Sequence, residues 1–317
     1  VASTAQTTGS ITLSWSAPAV GTGAAVTGYQ VYLVTVAEGT SEPVYTVAHD
    51  GRDSTATSVE LSSLESGSLY TYVLSSLSDA GESDKSDEMS ASTAPGVATG
   101  LSSTLQTTSS ISLAWTAPTI LSGEAVTGYK VYSRSVSVAL GANNQIGDGS
   151  DSVVVDTLVY DGRNDVTTST DPATELNDLE GGTLYQYLVG ALSNAGEGDR
   201  SASLDVSTAA PAPTALMSVS QTTTGMELSW TAPEVSSGEA VTGYKVYRDD
   251  GAGGAVDVVA YDSRASSGDF VSTSCSVSGL TGGLTYAYQV SALSLAGESD
   301  RSTVMTSPTS PLQVSDV

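Results

Sequence analysis

The sequence predicts an all-β chain of three tandem seven-stranded Greek-key β-sandwiches, set end to end as a semi-rigid rod. Three observations predict it. Trp15, Trp115 and Trp230 each close an alternating run: Ile11-Thr12-Leu13-Ser14-Trp15, Ile111-Ser112-Leu113-Ala114-Trp115 and Met226-Glu227-Leu228-Ser229-Trp230. Such alternation marks a strand with one buried face. A turn-and-strand motif returns as Leu64-Glu65-Ser66-Gly67-Ser68-Leu69-Tyr70, Leu179-Glu180-Gly181-Gly182-Thr183-Leu184-Tyr185 and Leu280-Thr281-Gly282-Gly283-Leu284-Thr285-Tyr286. Turn signals then separate short strands at roughly 8–12-residue spacing, as a sandwich requires.

Each repeat opens with a strand that ends at a Gln-Thr-Thr, at Gln6, Gln106 and Gln221. Pro95, Pro211 and Pro213 lie in the connections before the second and third copies and stiffen them. Only five residues precede Gln6, so the first strand of repeat one reads as truncated. The Trp strand is stopped by Ala17-Pro18, Ala117-Pro118 and Ala232-Pro233, because Pro removes a ladder donor. The next strand carries Val-Thr-Gly-Tyr-x-Val-Tyr, with its first Tyr at Tyr29, Tyr129 and Tyr244. Then comes Asp50-Gly51-Arg52, with counterparts Asp161-Gly162-Arg163 and Asp262-Ser263-Arg264. After the motif with its paired tyrosines, Ala80-Gly81-Glu82, Ala195-Gly196-Glu197 and Ala296-Gly297-Glu298 turn the chain into the final strand. From Tyr70, Tyr185 and Tyr286 to that Gly is 11 residues every time, whereas Trp to Tyr is 55, 70 and 56. The middle copy therefore carries an insertion, placed in a long loop over 133–156. The divisions are 1–94, 95–210 and 211–309, with 310–317 opening a further repeat or forming a tail.

These residues together resemble the fibronectin type III domain, a relative of the immunoglobulin-like sandwich. The likeness covers all three copies. It implies seven strands in two sheets, strung head to tail, with Leu64 and Tyr70, Leu179 and Tyr185, and Leu280 and Tyr286 as tyrosine corners. Tyr72, Tyr187 and Tyr288 stand where an antibody-type domain has its second Cys, which excludes the disulfide-bonded variety. Family members that bind integrin present Arg-Gly-Asp-Ser in the last loop. This chain has Gly198-Asp199-Arg200-Ser201, a different order, so that activity is not carried over.

Composition narrows the function. A net charge of −25, from 35 acidic and 10 basic residues, argues against nucleic acid and anionic membrane as partners. No apolar run is long enough for a transmembrane helix, so no direct membrane insertion is expected in this segment. The only cysteine, Cys275, permits no intrachain disulfide and reads as a core thiol. His49, the only histidine, has Tyr160 and Tyr261 as counterparts and is not read as catalytic. No enzyme activity and no cofactor are expected. Asp249-Asp250-Gly251 with Asp257, and Asp148 with Asp151, are the Ca²⁺ candidates, though neither has regular ligand spacing. Asn143, Asn144, Asn164, Asn177 and Asn194 all miss the N-glycosylation sequon.

Charged loop residues are the candidate inter-domain contacts. Arg52, Arg163 and Arg264 are expected to pair with Glu82 and Asp84, Glu197 and Asp199, and Glu298 and Asp300, at the pole facing the preceding domain. The turns around Gly67, Gly182 and Gly283 are assigned to the opposite pole, together with the 133–156 loop. The leading functional expectation is a non-catalytic structural or adhesive array of a secreted or cell-surface protein, with a fibre or filament component as one form of it. Its partners would be neighbouring repeats and homotypic filament contacts. A spacer of a secreted multidomain enzyme, a receptor ectodomain and an intracellular array are the alternatives.

Overall fold

The computed structural model describes residues 1–37, 39, 41–138, 152–163, 172–265 and 271–312. The chain folds into three antiparallel sandwiches. In the first, Ala2–Gln6, Ser10–Ser14 and Ser58–Ser62 form a three-stranded sheet. The facing sheet runs Pro43–Gly51, Val26–Val36, Leu69–Ser78, and a final strand in two pieces, Gly81–Glu82 and Met89–Ser92, both pairing with Leu69–Ser78. The second and third repeats have the same order.

Alternation explains the core. Ile11 and Leu13 point inward beside Val31, Leu61 and Tyr72, and their counterparts do the same in the other repeats. Each fully buried side chain of this size contributes roughly 1.5–3 kcal/mol of apolar burial. Each Trp meets the first Tyr of the following strand edge-on, with ring centroids 5.3, 5.3 and 5.2 Å apart. A register shift recurs between Val31 and Tyr32, Val131 and Tyr132, and Val246 and Tyr247. It falls immediately before a tyrosine that matters at the pole.

Ala2–Gln6 is shorter than Thr99–Gln106, but it pairs along the Trp strand all the same. Part of 133–156 is strand, over residues 133–138 and 152–156. Gly128–Val138 and Ser152–Asp161 form a long hairpin, in register from Ser133 against Thr157 to Val138 against Ser152. Arg134 lies opposite Asp156 and bonds it through two nitrogens, at 2.7 and 2.9 Å, which holds the arms together. The rest of that loop, with the Asp148 and Asp151 pair, lies outside the described residues.

Candidate functional site: the poles where repeats meet

The outgoing pole of each repeat is built on the tyrosine corner. The Tyr70 hydroxyl accepts from the Glu65 N–H at 2.8 Å, Tyr185 from Glu180 at 2.8 Å, and Tyr286 from Thr281 at 3.0 Å. This fixes a turn in which Gly67, Gly182 and Gly283 have φ of 61°, 65° and 78°. A side chain resists that left-handed backbone. The same glycine N–H groups bond to the departing chain, at Ala94, Ala209 and Ser310 carbonyls. Those three residues in turn donate to the Thr7, Thr107 and Thr222 carbonyls. The linker is thus bonded to its repeat before it leaves.

The next repeat closes on this turn with the loop after its Trp strand. Leu121, Ser122 and Gly123 aim three successive N–H groups at the Gly67 carbonyl, at 3.0, 3.3 and 2.9 Å. The Ser122 hydroxyl also accepts from the Leu69 N–H at 3.0 Å. The second joint repeats this bond for bond: Ser236, Ser237 and Gly238 reach the Gly182 carbonyl at 3.2, 3.4 and 2.9 Å, and Ser237 accepts from Leu184 at 3.1 Å. A Cβ on Gly123 would lie 2.7 Å from the Gly67 carbonyl carbon, and one on Gly238 2.6 Å from that of Gly182. Only glycine allows backbones this close.

A second contact brings the last loop of one repeat to the first turn of the previous one. Thr8 donates its hydroxyl to Asp199 at 2.6 Å, and Thr108 accepts from the Asp300 N–H at 3.1 Å. Asp199 and Asp300 are therefore at inter-repeat contacts. The arginines are at the same pole but do not make the pairs expected of them. Arg52 pairs with Asp50 at 3.4 Å and Arg163 with Asp161 at 3.3 Å, each within its own turn. Arg264 reaches the last hairpin, but through the Ser294 carbonyl, and it also bonds Thr242.

The glutamates are committed elsewhere. Glu82 accepts from Tyr32 at 2.6 Å and from Ser75 at 2.7 Å. Glu197 takes Tyr132 at 2.6 Å and the Lys130 ammonium at 2.8 Å, and Glu298 takes Lys245 at 2.9 Å together with Tyr247 and Ser291. Burial opposes the charge on Glu197, yet the Lys130 and Tyr132 bonds hold its carboxyl below its ordinary range. The Glu197 bond in turn raises Lys130. Arg200 stacks 3.5 Å over the Tyr132 ring and Arg301 3.6 Å over Tyr247. These groups stiffen the last hairpin, which carries the Asp199 and Asp300 contacts. Asp84, its counterpart in the first repeat, is exposed.

Other sequence candidates have structural explanations. Asp249 is buried and accepts from the Gly251 and Ala287 N–H groups, Asp250 accepts from Ala252, and Asp257 pairs with Arg301. Among the described residues no three His, Cys, Asp or Glu side chains gather around a common metal position. Burial pushes the Cys275 thiol up to about 12, which leaves it unreactive near neutral pH. His49 is a strand residue opposite Val31.

Sequence reasoning missed the donor loops. Their signal was present: Ala-Pro is followed by Ser122-Gly123 and Ser237-Gly238, and by Thr22-Gly23 in the first repeat. The prolines were read only as strand terminators.

The chain is 38% identical over 141 residues to Chitinase A1 of Niallia circulans, a match that spans 41% of this chain and 18% of that protein. Among solved structures it resembles the FN1-FN3 domains of chicken CNTN1, at 14% identity and TM-score 0.33, covering 98% of this chain and 97% of that one. A two-domain fibronectin type-III segment of chicken tenascin matches at 17% identity and TM-score 0.32, covering 67% and 99%. The family assignment rests on the family model, which matches residues 1–92, 94–207 and 211–307. With each match coinciding with one sandwich, the chain belongs to the fibronectin type III domain family and carries three copies in tandem.

Proposed function

We propose that this segment is a non-catalytic spacer that holds its repeats at set distances and angles within a secreted or cell-surface polypeptide. One observation carries the reading: both joints use the same clamp, three N–H groups on the carbonyl of Gly67 or Gly182. A connector meant only to tether would have no need of matched backbone bonds at each junction. The likeness to a protein named as a chitinase favours the spacer of a polysaccharide-acting enzyme over the fibre reading. The fibre reading draws its support from apolar residues exposed along one strand edge, Val44, Val47, Val154 and Val258 among them.

Small-angle scattering of the 317-residue chain tests the spacer reading. A single elongated particle, with a length of roughly 30–40 Å per domain, is the expected result. A profile that requires a broad range of inter-domain bends would overturn it.

A further inference from the structure

We propose that the middle repeat binds a small single-ring aromatic amide in a cavity between its two sheets, where Ser133 leaves Tyr187 uncovered. The cavity measures 260 Å³. It opens between Ser152–Asp161 and Ala173–Leu176, the edge strands of opposite sheets.

The second tyrosine of each corner motif faces a different neighbour in each repeat. Tyr72 lies opposite Leu33, Tyr288 opposite Arg248, and Tyr187 opposite Ser133. Leu33 packs onto the core of the first repeat. Arg248 reaches the corner of the third, its guanidinium 5.5 Å from the centre of the Tyr286 ring and bonded to the Asp249 carbonyl at 2.7 Å. In both repeats the hydroxyl of the second tyrosine is sealed from solvent. Ser133 is too short to cover its tyrosine in either way, and the cavity lies beside it. Tyr187 lines that cavity although only 1% of the residue is exposed, and its hydroxyl has no hydrogen-bond partner among the described residues. Burial raises this phenol above its ordinary 10, so the group remains an O–H donor at neutral pH. A buried donor without an acceptor is costly, and a ligand oxygen would supply one.

The walls define the rest of the ligand. The Tyr185 and Tyr187 rings lie 5.9 Å apart and within 10° of parallel. With Leu176 and Leu179 they make an apolar lining against which an aromatic ring can pack. A cavity of about 150 Å³ holds benzene, so this one has room for a ring with a polar substituent. Glu175 and Asn177 are exposed and stand at the mouth, where the carboxylate can accept from an amide N–H. Among the described residues no Lys, Arg or His lines the cavity, and the chain carries a net charge of −25, so a carboxylate or phosphate ligand is repelled. A primary amide is neutral and has both the acceptor for Tyr187 and the donor for Glu175.

An NMR titration of the 317-residue chain with benzamide and with benzoate tests the site. Benzamide should bind with a Kd of about 1 mM, the range open to so few atoms, and shift amides along 173–176 and 184–189. Benzoate, which keeps the ring but carries the wrong charge, should bind about tenfold more weakly or not at all. Ser133→Leu installs the residue of the first repeat and should abolish binding. Because it fills space rather than opening it, the urea midpoint of the chain should not fall. Tyr187→Phe leaves the cavity open and should weaken benzamide about 3–10-fold through the lost bond. Failure of the unaltered chain to bind benzamide at about 10 mM overturns the proposal, as does equal binding of benzoate. Undiminished affinity in the Ser133→Leu or the Tyr187→Phe chain overturns it as well, since the ligand then sits elsewhere.

Discussion

Gly23 and Gly123 hold the same place in successive repeats and meet opposite surroundings. A Cβ on Gly123 would press on the backbone of the first repeat at 2.7 Å, whereas one on Gly23 would meet nothing within 4 Å. The glutamates of the last hairpin divide the same way. Glu82 is exposed and has the neutral Gln30 beside its tyrosine, whereas Glu197 and Glu298 are half-buried and hold Lys130 and Lys245. One repeat design thus serves two settings. Where a neighbour closes on it, the loop and the hairpin become parts of a joint; where none does in this structure, the same residues remain solvated.

The largest expected break in this comparison is Gly123→Val or Gly238→Val. Either forces the loop off its carbonyl, with loss of three backbone bonds and the Ser122 or Ser237 bond. Net hydrogen bonds contribute about 0.5–1.5 kcal/mol each, and three here share one acceptor, so the joint should lose about 2–3 kcal/mol. Scattering should show free bending at the altered joint, while Gly23→Val leaves the profile of the dilute chain unchanged.

Next comes Glu197→Gln. It leaves the Lys130 ammonium, with 14% of its side chain exposed, without its anion. The cost is about 1–3 kcal/mol, against less than ~1 kcal/mol for Glu82→Gln, which strands no cation. Hydrogen exchange resolved by repeat separates the two. The pH dependence has a definite sign. Glu197 is held below its ordinary 4.5, so its contribution is present above pH 4.5 and is lost as pH falls further. Lys130 is held above its ordinary 10.5, so its contribution is present below pH 10.5 and is lost as pH rises through the raised value. Protection of the second repeat that stays flat from pH 7 to well below 4 would contradict the pairing.

A smaller effect is expected of Tyr70→Phe, Tyr185→Phe and Tyr286→Phe. Each removes one bond to a turn N–H, at about 1 kcal/mol per repeat in urea titrations. The first two should also loosen a joint, because that turn presents the clamped carbonyl. Tyr286→Phe should change stability without changing the shape of the dilute chain.

The corner itself was legible in the sequence, because Leu64, Gly67 and Tyr70 recur at fixed spacing and each has a local physical reason. The short strands of the sandwich were legible for the same reason, whereas their division into two sheets followed from the family resemblance. The joint was not, since its partners lie far apart in sequence: Gly67 meets Gly123, and Thr8 meets Asp199. A pattern read within one repeat contains half of such a contact. The arginine pairing misled for a related reason. Charge alone matched Arg52 to Glu82, but the register shift before Tyr32 and the Tyr32 and Ser75 hydroxyls give that carboxylate neutral donors. The partly buried lysines Lys130 and Lys245 were passed over because each repeat's third strand was read for its tyrosines.

The smallest effect belongs to the outer contact, and it separates the two joints from each other. Thr8 donates to a carboxylate, whereas Thr108 accepts from a backbone N–H. Thr8→Val and Thr108→Val should each cost no more than about 0.5 kcal/mol, because both contacts are exposed. Their partners respond differently. Asp199→Asn replaces the charged acceptor and should reproduce most of the Thr8→Val effect, read as faster exchange at residues 7–10. Asp300→Asn keeps the backbone donor and should leave the second joint unchanged. Added salt should weaken the first contact more than the second, because only the first has an ion in it. Equal responses of the two joints to these aspartate changes would mean that both are held by the glycine clamp alone, with the hydroxyls as bystanders.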